Sequence, residues 1–120
     1  MQDSRVFRIR HIPSGLTLAE GRRGWDITAF DGAYYIRRTC LRAGRWRLTP
    51  WPGLCPYKFF YLWLDWLLPD GQCERALGWR YVLPNPLLPF IAFRVAVPQH
   101  HPALEVIQHI AAETGLARAQ

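Results

Sequence analysis

The side chains able to carry chemistry in this chain are few. Cys40, Cys55, Cys73, His11, His100, His101, His109 and the single lysine, Lys58, are the candidate nucleophiles and bases. Cys55 lies three residues before Lys58. An ammonium held close to a thiol favours the thiolate and makes it a nucleophile, whereas a thiol buried at the start of a strand is inert. The cysteines are separated by 15 and 18 residues with no Cys-x-x-Cys pair, so neither a disulfide framework nor a structural zinc site is expected. His100 and His101 are adjacent and point to opposite faces of an extended chain, which chelates a metal poorly. Asp26 with Asp31, and Asp65 with Asp70, stand five apart, a spacing that shares no face of helix or strand. Gly21-Arg22-Arg23-Gly24 lacks the glycine pattern that lets backbone N–H groups cradle a phosphate. No metal site is expected.

Aromatic side chains are the larger anomaly. Trp25, Trp46, Trp51, Trp63, Trp66 and Trp79 are six indoles in 120 residues. Each buries much apolar area and keeps one N–H that needs a partner, so a small core uses two or three and the remainder lines a ligand cleft or an interface. The expected cleft is lined by Tyr35, Tyr57, Trp63 and Trp79, with Lys58 supplying charge and Asp65 as its possible carboxylate partner; Tyr81, Cys55 and Arg37 complete the candidate binding set.

Charge is unevenly placed. Residues 1 to 58 hold eleven basic and four acidic side chains, net +7, and the rest of the chain is net −1. Fourteen of the fifteen cations are arginine, which forks onto carboxylates and phosphates and stacks on rings, so an anionic ligand fits this half and a solvated basic face is the plainer reading. No helix-turn-helix, zinc-finger or RNP-like segment accompanies the charge, which argues against nucleic acid as the partner. The amino-terminal ten residues carry charge throughout, unlike a signal peptide, and neither apolar block reaches the roughly 20 residues of a membrane-spanning helix. With unpaired thiols, this predicts a cytoplasmic chain without a transmembrane segment.

Whatever positions these groups is punctuated by ten prolines and nine glycines, the marks of a β-rich domain with many turns. Val6–Arg10 sets Phe7 and Ile9 against Arg8 and Arg10, and Pro13-Ser14-Gly15 turns it into Leu16–Glu20, a hairpin. Asp31-Gly32 precedes the strand Ala33–Arg38, and Arg45–Thr49 alternates Trp46 and Leu48 with arginines. Tyr57–Leu68 places Phe59, Tyr61, Trp63, Asp65 and Leu67 on one face and Phe60, Leu62, Leu64, Trp66 and Leu68 on the other, so both faces need cover; Pro69-Asp70-Gly71 ends it. Gly78–Leu83 and the stretch 90–97 read as further strands. After Pro102, the three- and four-residue spacing of Leu104, Ile107, Ile110 and Ala111, with Gly115 beyond, predicts a C-terminal amphipathic helix over about 102–115. The fold class expected is mainly β: one domain over 1–120, a small twisted antiparallel sheet with one C-terminal helix.

In order and spacing, Gly15-Leu16-Thr17-Leu18-Ala19-Glu20, Arg22-Arg23, Tyr34-Tyr35-Ile36, Cys55-Pro56-Tyr57-Lys58, Trp79-Arg80-Tyr81, Pro84-Asn85-Pro86 and Val95-Ala96-Val97 resemble the bacterial domain-of-unknown-function family 427 over about residues 7 to 97. The resemblance implies an Mss4-like β domain, a half-open barrel whose relatives bind small ligands or zinc, and it supplies a fold rather than a reaction. It carries over Cys55, Tyr57 and Lys58 from the central motif, Tyr34 and Tyr35 from the earlier one, and Trp79, Tyr81 and Pro86 from the later one. The sequence departs from the family where Phe59 replaces a glycine after Lys58 and where Arg37, Arg38 and Thr39 replace an acidic residue. The stretch 87–93 is also more apolar than the usual spacer, which favours an apolar ligand or a partner surface.

Three functions follow as expectations. The first is a β domain binding a small, partly apolar, anionic ligand. The second is a protein-interaction module or homodimer that covers exposed rings such as Trp51, Phe90 and Phe93. The third is an enzyme dependent on Cys55 with Lys58 or a histidine.

Overall fold

Alternation of apolar and charged residues organises the first half of the chain. The computed structural model describes residues 5–55, 59–84, 87 and 94–110. In β1 (Arg5–His11), Phe7, Ile9 and His11 face inward. The outward arginines find carboxylates on both neighbouring strands: Arg8 lies opposite Glu20 of β2 (Thr17–Arg22) at 3.6 Å, and Arg10 opposite Glu105 of the last strand at 2.5 Å. Opposite charges directly across an antiparallel pair reinforce its register.

Further along, β3 (Ile27–Phe30) and β4 (Ala33–Ile36) form a hairpin closed by Asp31-Gly32. Both turn residues have positive φ, 52° and 79°, the conformation that matches strand twist in two-residue hairpins and that Asp-Gly tolerates. A 3₁₀ turn (Arg38–Cys40) leads to β5 (Arg45–Cys55), β6 (Phe59–Leu67), β7 (Cys73–Pro84) and β8 (Val95–Pro98). With β9 (Leu104–Ile110), the strand order is β3-β4-β8-β7-β6-β5 in a six-stranded sheet, and β2-β1-β9 in a three-stranded one, every pairing antiparallel.

The two sheets bury a shared core. Phe7, Ile9, Leu18 and Ala19 from the smaller sheet meet Ile27, Ile36, Leu64, Trp66, Leu77, Val95 and Val97 from the larger. Trp66 is fully buried and donates its Nε1–H to the Ala43 carbonyl at 3.2 Å, so the largest apolar side chain leaves no polar atom unpaired. A second cluster of Ala33, Tyr35, Tyr81 and Ala96, flanked by Phe30, Tyr61 and Trp79, gathers the alternate residues of the large sheet. Thus β6, as its pattern predicts, sends Leu64 and Trp66 to one core and Tyr61 to the other. Isolated bridges join Ala19 of β2 to Leu41 of the connection before β5, and Arg23, just after β2, to Ile27 of β3, and no closed barrel forms among the described residues.

One expectation is corrected here. Residues 104–110 are not helical: β9 (Leu104–Ile110) pairs with β1 along seven residues, from Arg5–Ile110 to His11–Leu104. Leu104, Val106 and Ile110 also fall two or four apart, and Leu104 and Val106 pack on the main core. The helical spacing was one of two periods in the same residues, and a strand edge of β1 needing hydrogen-bond partners selects the other. The remainder of the expected helix, 111–115, lies outside the described residues. Among them there is no α-helix, and no helix long and apolar enough to cross a membrane.

Candidate functional site

The most elaborate surface of the molecule is built by two interruptions of the β-ladder on either side of β6. On β5, Leu48 pairs with Leu64 and Pro52 with Leu62, so Thr49, Pro50 and Trp51 stand opposite Trp63 alone. Pro50 and Pro52 have no N–H to give to the ladder. Thr49 repairs the gap by donating its Oγ1–H to the Trp63 carbonyl at 2.8 Å and accepting from Trp51 N–H at 3.3 Å. On β7, Leu64 pairs with Gly78 and Trp66 with Glu74, so Arg75, Ala76 and Leu77 stand opposite Asp65. Ala76 takes φ 52°, the left-handed region that a β-carbon disfavours, and donates its N–H to Asp65 Oδ1 at 2.8 Å.

Between the two bulges opens a cleft of about 610 Å³, within the range of small-molecule sites. Leu48, Pro50, Trp51 and Trp63 form its apolar wall, and Arg47, Asp65 and Arg75 its charged one. Asp65 is only 8% exposed and accepts from Arg47 Nη2 at 2.9 Å through its other oxygen. The Arg47 guanidinium, with the Ala76 N–H, holds the Asp65 carboxyl below its ordinary range against the opposing effect of burial. It is therefore ionised and already neutralised by Arg47, and Arg75, which has no ion pair among the described residues, leaves the cleft net positive.

The apolar wall continues into the second core. Trp63 meets Tyr61 and Trp79 edge-on at centroid distances of 5.4 and 5.7 Å, and Tyr61 leads on to Tyr81 at 5.2 Å. Edge-to-face rings fix one another's orientation, so Trp63 presents a set surface to the cleft. Trp51, on the opposite rim, is 69% exposed and makes no such ring contact among the described residues. The chain matches no protein-family model and no curated protein.

The residues expected from sequence are distributed as follows. Trp63 lines the cleft, and Trp79 packs directly behind it. Tyr35 and Tyr81 are buried in the second core and line neither described cleft. Arg37 sits beyond β4, three strands from β6, where Nη1 donates to Asp26 Oδ1 at 2.9 Å. Tyr57 and Lys58 lie outside the described residues; so does the side chain of Cys55, whose backbone pairs with Phe59 at the end of β5. Phe90 and Phe93 lie outside as well. The free thiol beside the cleft is that of the exposed Cys73, 3.8 Å from Arg47 Nη2. Cys40 is buried, and that burial raises its thiol pKa, with Asp26 adding to the effect. No three His, Cys, Asp or Glu side chains among the described residues come together as metal ligands.

The six indoles take three roles. Trp46 and Trp66 belong to the main core; Trp79 packs on the second cluster and Trp63 meets Trp79 and Tyr61 edge-on; Trp25 and Trp51 are exposed at 60% and 69%. Trp25 is capped by the buried Arg94, whose Cζ lies 4.5 Å from the ring centroid and whose Nη1 reaches Thr28 Oγ1 and the Tyr35 carbonyl, each at 3.3 Å. That cation–π contact accounts for Trp25. Trp51 has no ring or cation contact among the described residues. Sequence reasoning did not single out Arg47 or Arg75, because the bulges that aim them are properties of strand register.

Proposed function

We propose that this chain is a binding domain for a small, partly apolar anion, held between the two bulges. The indoles of Trp51 and Trp63 cover its apolar part, and Arg75, with Arg47 on the other side of Asp65, meets its charge. The single observation that supports this most is Trp51: a large ring held at 69% exposure on the same cleft as two arginines. An aromatic carboxylate or sulfonate matches both walls, because an indole and a guanidinium each stack on a flat ring while the guanidinium also forks onto the anion. The net positive charge follows from Asp65 being occupied by Arg47 and by the Ala76 N–H.

A place in family 427 with an Mss4-like fold belongs to the same proposal. It is supported by the ordered motifs and by the antiparallel two-sheet arrangement, and the unpaired Cys40 and Cys73 suit a reducing, cytoplasmic setting.

Isothermal titration with 2-naphthoate, beside neutral 2-naphthalenemethanol, tests the ligand reading. The expected result is preference for the carboxylate and a loss of about tenfold or more in affinity in Trp51→Ala and in Arg75→Ala, with unchanged thermal midpoints since both side chains are exposed. Equal affinity in wild type and both variants refutes it. A second reading is favoured by Leu48 and Trp51 standing exposed on β5, an edge of the large sheet: a second copy covers this edge. Pro50 and Pro52 deny such a partner two backbone donors, which weighs toward the small ligand; a monomer in size-exclusion chromatography at micromolar concentration disfavours the dimer.

A further inference from the structure

Where the end of β1 meets the Trp66 face of the large sheet, a histidine, a nearby serine and a glutamate distant in sequence form a continuous hydrogen-bonded relay. His11, 2% exposed, ends β1; its Nε2 lies 2.6 Å from Glu74 Oε2 of β7, and its Nδ1 lies 2.7 Å from Ser14 Oγ in the turn that follows. A carboxylate oxygen only accepts, so in the neutral imidazole the proton sits on Nε2 and Nδ1 is the acceptor, with the serine hydroxyl at 2.7 Å and the more distant Ser14 N–H at 3.3 Å both directed at it. The ring is fixed further by Trp66, edge-on at 4.8 Å. Ser14 Oγ accepts from Leu16 N–H at 3.2 Å, which leaves its own proton for Nδ1. A nucleophile, a base and a carboxylate that orients the base thus stand in series, the arrangement that activates a serine.

Ser14 is exposed and borders a second cleft of about 400 Å³. Pro13, Leu16, Leu68 and Pro69 give it apolar walls, and Asp70 and Gln72 stand on its rim. The Asp70 carboxylate accepts from Gln72 N–H at 2.9 Å, while the Gln72 side-chain amide has no hydrogen bond among the described residues and supplies a polar donor on the rim.

We propose that Ser14, with His11 as base and Glu74 as positioning residue, is a nucleophile for a small uncharged carboxylic ester. Ser14 Oγ bonds to the ester carbonyl carbon as its proton passes to His11 Nδ1; the bond to the alcohol oxygen breaks, and the alcohol leaves with that proton. Water then adds to the acyl-serine, giving a proton to Nδ1, and the acid departs as Ser14 regains its hydrogen. The acidic groups Asp70 and Glu74 disfavour anionic substrates here, which distinguishes this site from the positively charged cleft.

The test treats the full chain with an alkyl fluorophosphonate, in which a Ser Oγ–P bond forms as fluoride leaves and the proton goes to Nδ1. Intact mass and peptide mapping locate the adduct. One adduct, on Ser14, is expected, absent in Ser14→Ala. In Glu74→Gln the negative charge that faces Nε2 and stabilises the imidazolium is lost, so the labelling rate falls about 100-fold while the circular dichroism spectrum is kept; Glu74→Asp restores part of the rate. Equal labelling of Ser4 and Ser14, the two serines of the chain, no adduct on Ser14, or an unchanged rate in folded Glu74→Gln overturns the proposal.

Discussion

Asp65 organises the cleft, and replacing it by asparagine tests that role. Asparagine keeps the volume but has one acceptor where Asp65 uses two, for Ala76 N–H at 2.8 Å and Arg47 Nη2 at 2.9 Å. Whichever way the amide turns, one of those contacts becomes donor against donor. A hydrogen bond to a charged group contributes about 1.5–3 kcal/mol. The bond from Ala76 is the one that holds an alanine in the left-handed region, whereas the Arg47 pair is solvent-screened, its arginine side chain being more than half exposed. Asp65→Asn is therefore expected to cost about 2 kcal/mol, which with a urea slope of about 1.5 kcal/mol/M lowers the unfolding midpoint by roughly 1 M at pH 7.

The same substitution carries a pH signature. Folding lowers the Asp65 pKa, so its contribution is complete above the ordinary carboxylate range and is lost as pH falls through the folded value. The midpoints of wild type and Asp65→Asn should converge below about pH 4. Urea unfolding followed by tryptophan fluorescence at several pH values measures both effects. Coincident midpoints at pH 7, or a gap that persists undiminished into acid, refute the assignment of Asp65 as the ionised tie between the bulges.

Two further outcomes follow from the packing. At Gly78 an added Cβ would lie 2.5 Å from the Ala96 carbonyl oxygen and 3.1 Å from the Trp46 ring, so Gly78→Ala must force β7 from β8 and is expected to destabilise by about 1–3 kcal/mol; an unchanged thermal midpoint contradicts the close approach. Iodoacetamide at neutral pH should modify the exposed Cys73 at least about 100-fold faster than Cys40, whose thiolate burial disfavours. Peptide mapping over time distinguishes this from equal rates, which would show that Cys40 is open to solvent.

Several features of the fold were legible in the residues alone. Phe7 and Ile9 against Arg8 and Arg10, the hairpin at Pro13-Ser14-Gly15, and the two-faced pattern of β6 all appear where alternation places them. β3 was missed because four residues, Ile27–Phe30, give too short a window for a period, although Asp31-Gly32 marked its turn. β9 was misread because its residues satisfy two periods and the choice lies with β1. The candidate site was less legible. The aromatic surplus pointed to Trp63, but Arg47 and Arg75 reach the cleft through bulges whose position depends on which residue of β6 each neighbour pairs with. The relay of Ser14, His11 and Glu74 joins residues 63 apart in sequence, a distance over which local patterning carries no signal.

What the sequence by itself determined is the β character, the turns and the excess of rings, because these depend on side-chain period, backbone freedom at glycine and proline, and composition, all local properties. What only the tertiary structure decided is which rings become core and which stay at the surface, which arginine faces which carboxylate, and that residues 104–110 extend a sheet. Those outcomes depend on strand register, and a shift of one or two residues moves a side chain to another face or opens a bulge; register is settled by the partner strand, not by the strand's own residues.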